Sequence, residues 1–157
     1  MPWLGPLTVM VALLIHFYFA KRPRRELMLI LSAAIIGAGY DSLLLAAGWV
    51  QYSSGLFSEL VAPYWIITMW MLFATTLNVT FRWLHGRWAL AALMGAFFGP
   101  MSYLAGSAAG AVELVNPLAA LSSLGVAWAL LMPGLLLVAR ELDGTLLPAF
   151  SEPGVQR

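Results

Sequence analysis

The residue of this sequence best placed to do chemistry is an aspartate, Asp41, in the middle of the apolar stretch GAGYDSLLLAAGW, residues 37–49. A carboxylate near the centre of a bilayer costs about 2.5–3.5 kcal/mol on insertion scales. Desolvation favours the neutral acid, since we expect no Lys or Arg at the same depth. Two interpretations stay open. Asp41 exchanges protons, holds a cation or binds a polar head group, or it only joins helices through hydroxyl groups at its level.

The other polar side chains of the apolar stretches fall into two levels when each residue is given a helical rise of about 1.5 Å. The candidate functional layer at the height of Asp41 also contains Thr68, Ser102 and Tyr103. The second layer, near the inner boundary, contains Thr75, Asn78 and Arg82, with His16 at a similar depth.

The alternative to a functional role for the second layer is a structural role. Thr75 and Asn78 are of types that bond neighbouring helices, and Arg82 is expected to extend to the inner surface. Glu113 lies at the outer rim, where a solvated charge is the default interpretation.

Catalytic residues cannot be assigned, because these side chains offer no nucleophile–base pair of the kind that hydrolases use. The chain has no cysteine, which excludes thiolate chemistry and Cys-ligated metals. His16 stands alone, separated from Asp41 by about 10 Å of depth. We therefore expect no metal and no cofactor, and the net charge of +1 gives no indication of nucleic-acid binding.

Small residues form a stripe along the fourth apolar stretch, within the patterns GAFFG and GSAAG. The stripe's glycines are Gly95, Gly99, Gly106 and Gly110. Small residues at this spacing let helix backbones approach closely in membranes, so the sequence predicts that these four pack against another helix.

The elements that position these residues are predicted to be helices that cross a membrane. The chain is 62% hydrophobic and 10% charged, whereas soluble domains have about 25% charged residues. Five stretches reach the roughly 20 apolar residues that a span needs: 3–20, 27–50, 63–82, 88–112 and 117–139. Barrel strands would be shorter and would alternate in polarity. The predicted fold is all-α, a polytopic transmembrane helix bundle forming one domain, 1–140, with a short cytoplasmic tail, 141–157.

The basic residues predict the orientation of the bundle. All eight Lys and Arg fall in one alternate set of connectors and tails, whereas Glu59 and Glu113 fall in the other. Because cytoplasmic connectors are rich in Lys and Arg, the N-terminus is predicted outside and the C-terminus inside. Tryptophans at both boundaries agree with this orientation: Trp3, Trp49, Trp65, Trp83 and Trp88. The mid-span Trp70 and Trp128 are expected to face other helices, since a buried indole N–H needs an acceptor.

Three blocks, YDSLLLAAGW, LFATTLNVTFRWLHGR and GPMSYLAGSAAGAVEL, resemble the most recognisable parts of the bacterial domain-of-unknown-function 2878 family. The resemblance implies a small multi-pass protein of the bacterial inner membrane with no established activity. Genes of the family often lie near genes for cyclopropane-type fatty-acid modification and flavin oxidoreductases. Members usually have one more apolar segment ahead of WLGP, so a sixth span stays open. The matching motif positions are Asp41, Asn78, Arg82, Gly99, Tyr103 and Glu113, and no role comes with them.

Three functions from different classes follow as hypotheses. The first is a non-catalytic accessory to envelope lipid modification or stress response, which presents lipid or scaffolds partner enzymes. The second is a small proton-coupled transporter in which Asp41 titrates. The third is a membrane-embedded lipid-modifying enzyme that uses Asp41 or Glu113 with Tyr103. The expected partners are membrane lipids, together with a second copy of the chain or other membrane proteins.

Overall fold

The computed structural model describes residues 4–58 and 60–145 as a helical protein with one small sheet. The elements in chain order are α1 Leu4–Phe19, α2 Pro23–Ala46, β1 Val50–Tyr52, α3 Tyr64–Leu77, a 3-10 turn Arg82–Leu84, α4 Trp88–Ala108, β2 Val112–Leu114 and α5 Pro117–Glu141. Trp3, Glu59, Arg157 and the part of the predicted tail beyond residue 145 lie outside the described residues.

Three helices, α2, α4 and α5, are long and apolar enough to cross a membrane, with 24, 21 and 25 residues. The prediction of a mostly helical protein is confirmed, and the length and composition of these three helices indicate a membrane protein. The other two helices are shorter, 16 residues in α1 and 14 in α3. The predicted span 63–82 ends early because the chain leaves the α-helix at Leu77 and makes a turn before the 3-10 segment.

A two-stranded antiparallel sheet closes the end of the bundle opposite the basic residues. Strand β1 pairs with β2, and Gln51 lies opposite Glu113 in the register. The predicted spans 27–50 and 88–112 run four residues past the helices, since α2 ends at Ala46 and α4 at Ala108. The all-α prediction therefore missed the sheet.

Both errors have the same physical cause, a glycine just past the end of each helix. Gly48 and Gly110 have φ of 68° and 73°, a conformation that glycine adopts without the cost other residues meet. The backbone N–H of Trp49 bonds to the carbonyl of Leu44, and that of Ala111 bonds to Gly106. A hydrogen bond from the sixth residue back to the first, as in the Schellman motif, ends a helix and changes the direction of the chain. Here the chain continues into a strand.

The helices pack as two groups. Helix α3 packs against α1 and α2, α4 packs against α5, and α5 also contacts α2 and α3. Helices α3 and α4 are not closely packed against each other along their lengths. The outward faces carry exposed apolar side chains such as Leu14, Ile35, Leu93 and Leu130, as expected for surfaces that meet lipid tails.

The basic end of the bundle is held together by contacts between distant parts of the chain. The N–H of Arg22 bonds to the carbonyl of Gly144 at 2.8 Å, and Arg82 forms an ion pair with Asp143 at 2.8 Å. Arg140 lies over the ring of Trp88. The α1–α2 connector, the α3–α4 connector and the end of α5 therefore meet on one side, as the alternate arrangement of basic residues requires.

Candidate functional site

Asp41 is fully buried, and three side chains donate hydrogen bonds to its carboxyl group. The hydroxyl of Tyr52 donates to Oδ1 at 2.9 Å, and the indole Nε1 of Trp70 donates to Oδ2 at 2.7 Å. The hydroxyl of Tyr103 also donates to Oδ1. Because an indole N–H can only donate, Oδ2 must be an acceptor. These bonds offset part of the cost of burying the acid.

The three donors come from three different elements, so the Asp41 cluster (Asp41, Tyr52, Trp70 and Tyr103) ties α2 to β1, α3 and α4. Gly37 makes the approach of Trp70 possible, since a Cβ there would lie 2.0 Å from the indole ring. Burial raises the pKa of Tyr52, and the nearby Asp41 raises it further. The Tyr52 hydroxyl therefore keeps its proton and remains a donor.

Tyr103 is the member of the predicted polar layer that reaches Asp41. Thr68 instead donates to the carbonyl of Trp65 in its own helix at 2.9 Å, and Ser102 donates to that of Gly99 at 2.7 Å. Helical depth alone does not decide which face of a helix a hydroxyl occupies, and a Ser or Thr can bond within its own helix.

Tyr52 and Trp70 are the partners of Asp41 that sequence reasoning did not assign. The sequence did contain an indication that Trp70 bonds to Asp41. A mid-span indole requires an acceptor, and Asp41 is the acid at a similar depth. Tyr52 carried no such signal, since it lies in a connector that the sheet folds back over the end of the bundle.

A cavity of about 310 Å³ adjoins the Asp41 cluster and occupies the gap between α3 and α4. Its wall is almost entirely apolar. The lining residues are Asp41, Ile66, Met69, Trp70, Phe73, Phe81, Met94, Gly95, Phe98, Gly99, Ser102, Tyr103, Trp128 and Met132. Met69 and Phe98 are 54% and 58% exposed, so the cavity reaches the outer surface of the bundle, where lipid tails would lie.

Two stacked tryptophans form one wall of this cavity. The rings of Trp70 and Trp128 lie 4.9 Å apart with an angle of 12° between their planes. A Cβ on Gly99 would lie 2.4 Å from the Trp128 ring, and one on Gly95 would lie 2.1 Å from the Trp128 carbonyl oxygen. The two glycines therefore admit Trp128 and bring α4 and α5 into close contact.

The other two glycines of the predicted packing stripe lie differently. Gly106 is in ordinary contact with Val112 of β2, at 3.5 Å from a Cβ built on it. Gly110 is not a packing residue, because a Cβ there would have no neighbour within 4 Å. Its role is the positive φ that ends α4.

Asn78 and Arg82 of the second layer belong to contacts between α3, α5 and the segment after α5. Asn78 Nδ2 donates to the carbonyl of Ala139 at 2.9 Å. Arg82 has a side chain that is 36% exposed at the basic end. Its Nε donates to the carbonyl of Asn78, and its guanidinium pairs with Asp143. Thr75 bonds within its own helix, to the carbonyl of Leu72.

The prediction that His16 stands alone was wrong. Its Nε2 lies 2.7 Å from Oε2 of Glu26, a fully buried acid. The other oxygen of Glu26 accepts a hydrogen bond from the N–H of Gly144 at 2.7 Å. Glu26 was not singled out from the sequence, because it lies just ahead of the predicted span 27–50. Among the described residues, no cluster of three or more His, Asp or Glu side chains could hold a metal ion.

Asp143 is the charged partner of Arg82 at the basic end. Burial raises the pKa of Asp143, but hydrogen bonds from Arg82 and Thr145, with the charge of Arg82, outweigh it and hold the pKa below its usual value. Glu113, in contrast, is exposed on β2, opposite Gln51. Its position is that of a solvated rim charge.

Comparison with known proteins identifies a family and no further relative. The family described as "Protein of unknown function (DUF2878)" matches residues 1–134. The match covers most of the chain, so the chain belongs to this family, and the resemblance of the three sequence blocks is confirmed. No curated protein and no solved structure matches the chain.

Proposed function

We propose that this member of the DUF2878 family is a five-pass protein of the bacterial inner membrane that holds one apolar chain of a lipid and acts as a non-catalytic accessory to envelope lipid modification. One observation carries the proposal: the apolar cavity between α3 and α4, with Met69 and Phe98 exposed at its opening. A cavity of this kind in a membrane protein is accessible to lipid tails from the side.

The five crossings include the two shorter helices. Leu4–Phe19 and Tyr64–Leu77 are apolar, and α3 is followed by a turn and a 3-10 segment that begins at Arg82 and contains the buried Leu84. Non-helical backbone is tolerated at membrane depth where it is buried in protein. With the basic connectors in the cytoplasm, the sheet lies on the outer side.

The size of the cavity supports a single chain as the occupant. Its volume of about 310 Å³ is roughly twice that of an engineered apolar cavity of about 150 Å³ that binds benzene. It lies near the lower end of the range of about 300–1,000 Å³ for small-molecule sites. A whole two-chain lipid does not fit this volume, whereas part of one chain does.

The contacts of Asp41 weigh against the two other hypotheses. Both carboxyl oxygens are occupied by donors from Tyr52, Trp70 and Tyr103. A transported proton or a substrate would have to displace one of these bonds at a fully buried group. We therefore assign Asp41 a positioning role, in which it fixes the wall of the lipid cavity.

The binding step is tested with a phosphatidylethanolamine that carries a photoactivatable group in the middle of one chain. We expect crosslinks to cavity residues of α3 and α4 in membranes. Met94→Trp should reduce them about tenfold, because the indole fills the cavity. Met101→Trp is the matched control, since Met101 is exposed on the same helix and does not line the cavity. Crosslinks unaffected by Met94→Trp, or spread evenly over the lipid-facing surface, would refute a specific chain site.

The accessory role is tested in cells by comparing the fatty-acid profile of the envelope with and without the gene. We expect a change in modified acyl chains under oxidative or membrane stress, restored by the wild-type chain and not by Met94→Trp. An unchanged profile under these stresses would contradict a role in lipid modification.

A further inference from the structure

Two arginines at the basic end of α4 and α5 carry charges that no neighbouring acid neutralises. Arg87 and Arg140 are exposed, and neither forms an ion pair within the part of the chain that the structure describes. Of the acids near them in the sequence, Asp143 pairs with Arg82, and Glu141 is exposed. The two positive charges are therefore available to an anionic ligand.

Both arginines lie over tryptophan rings where the two helices meet. Arg87 Cζ is 5.9 Å from the centre of the Trp83 ring, and Arg140 Cζ is 6.0 Å from that of Trp88. Because Trp88 directly follows Arg87, Arg140 of α5 reaches the start of α4. A ring attracts a guanidinium and restricts its position, and this contact does not use the N–H groups that bind phosphate oxygens.

Arg87 lies at one end of the lipid cavity. The connector from Phe81 to Arg87 joins α3 to α4 on the basic side, and Phe81 lines the cavity between these helices. Met94 and Phe98 line it too. Positions 87, 94 and 98 are related by steps of three and four residues, so they share one face of α4. Met94 lies about 10 Å beyond Arg87 along the helix, which places Arg87 in line with the cavity opening.

The second arginine has a similar relation to the cavity on α5. Met132 lines the cavity and lies about 12 Å before Arg140 along the helix. A phosphate at the two arginines is therefore separated from the cavity by about 10–12 Å of helix, a distance that part of a lipid chain spans.

The boundary of the membrane lies at the same level. Tryptophan is enriched at the level of lipid head groups, and Trp83 is 50% exposed. With the basic connectors in the cytoplasm, this level belongs to the cytoplasmic leaflet. At the opposite end of the bundle, the exposed charge on the sheet is the acid Glu113, which does not attract an anionic head group.

We infer that Arg87 and Arg140 bind the phosphate of an anionic phospholipid of the cytoplasmic leaflet, one chain of which occupies the cavity between α3 and α4. The inference rests on the proposed function, which places an apolar chain in this cavity, and adds the charge of the head group and the leaflet. Hydrogen bonds from guanidinium groups to phosphate are charge-assisted and strong. The head group stays outside the apolar cavity, so no charge has to be buried.

Three lipid probes with identical chains test the inference, each with a diazirine in the middle of one chain. They are phosphatidylglycerol, phosphatidylethanolamine and diacylglycerol, in equal trace amounts in phosphatidylcholine vesicles. We expect labelling of the cavity to decrease in this order. Arg87→Gln combined with Arg140→Gln should lower phosphatidylglycerol labelling about tenfold. Diacylglycerol labelling should stay unchanged, because this lipid has no phosphate to lose.

The matched control combines Arg24→Gln with Arg25→Gln at the start of α2. Both residues are exposed, neither lines the cavity, and the net charge changes by the same amount. An equal fall of phosphatidylglycerol labelling in the control would show general attraction to a basic surface and overturn the inference. Labelling that the Arg87 and Arg140 substitutions leave unchanged would overturn it too, as would an equal fall with diacylglycerol.

The three probes also separate the inference from the proposed function. If phosphatidylglycerol, phosphatidylethanolamine and diacylglycerol label the wild-type cavity equally, the inference fails and the proposed chain site stands. If none of them labels the cavity, the proposed function fails as well.

A second measurement uses the wild-type chain, so it does not depend on how well a variant folds. The diazirine is placed near the glycerol, in the middle or near the end of the phosphatidylglycerol chain. The labelled residues should shift from the Phe81 end of the cavity toward the Ile66 end, and the opposite order would place the head group on the side of the sheet and overturn the inference. Excess soluble glycerol phosphate should not reduce labelling; a strong reduction would identify a free phosphate ester as the ligand and contradict a lipid.

Discussion

At the scale of single residues, the buried polar groups of the protein differ in how many hydrogen bonds they form. Asp41 receives three hydrogen bonds, whereas Trp128 Nε1 has no acceptor among the described residues. A buried acid with a full set of donors fixes its neighbours in one arrangement.

The first prediction concerns the acid itself. Asp41→Leu leaves the donors of Tyr52, Trp70 and Tyr103 without an acceptor, and we expect it to lower stability by about 3 kcal/mol or more. Asp41→Asn should cost less than half as much, because its amide oxygen accepts from Trp70 and its amide nitrogen donates to a tyrosine oxygen. Thermal unfolding in one detergent measures both, with Glu113→Gln as the exposed control. Equal stability of Asp41→Leu and wild type would remove Asp41 as an organising residue.

Part of the Asp41 cluster could be predicted from the sequence, and part of it could not. The regular rise of a helix placed Asp41 and Tyr103 at one depth on separate helices, and the structure places them in contact. Depth gave no information about helix faces, so Thr68 and Ser102 were grouped with them although both bond within their own helices. The contact of Tyr52 with Asp41 could not be predicted, because it requires the connector to fold back as a strand. A pattern of apolar spans does not indicate such a strand.

At the scale of elements, glycines decide where helices end and how closely they pack. Gly48 and Gly110 end α2 and α4 by their positive φ, and the resulting strands bring Tyr52 to Asp41. Gly37 and Gly99 make room for the rings of Trp70 and Trp128. The GxxxG patterns predicted close packing and did not distinguish these two uses, because both need the same residue type.

The second prediction separates a packing glycine from a free one on the same helix. A Cβ on Gly37 would lie 2.0 Å from Trp70, whereas one on Gly39 would have no neighbour within 4 Å. Gly37→Ala should therefore destabilise the protein by about 1–3 kcal/mol through overpacking. Gly39→Ala should be neutral or stabilising by about 0.5–1 kcal/mol, because alanine favours the helix. Unfolding temperatures measured in parallel test the pair, and similar values for both variants would contradict the close approach of Trp70 to α2.

At the scale of the whole molecule, the two ends of the bundle are closed in different ways. The sheet joins the end of α2 to that of α4 on one side. On the other side, Gly144 bonds to both Arg22 and Glu26, and Asp143 pairs with Arg82. The segment after α5 thus connects the first and the second basic connector. The cavity lies between these closed ends and opens sideways.

The third prediction follows from the lowered pKa of Asp143. The folded chain binds this proton less readily than the unfolded chain, so the ion pair contributes stability above the usual pKa of 3.8. This contribution is lost as the pH falls through the lower pKa of the folded state. Asp143→Asn should therefore lower the unfolding temperature at about pH 7 and flatten its decline in acid. Glu141→Gln, at an exposed acid two residues earlier, should leave the profile unchanged; a profile for Asp143→Asn that matches wild type would exclude a stabilising pair.

The fourth prediction concerns the proposed five crossings, and the short α3 is their critical test. The chain has no cysteine, so single cysteines report accessibility without background. In intact spheroplasts, a membrane-impermeant maleimide should label Ser53→Cys and Glu113→Cys, on the side of the sheet. Lys21→Cys and Arg87→Cys, on the basic side, should react only after lysis, because basic connectors stay in the cytoplasm. Ser53 and Arg87 flank α3, so labelling of both from the same side would show that α3 does not cross. The cavity would then face an interface rather than lipid tails, and the chain site would lose its route of entry.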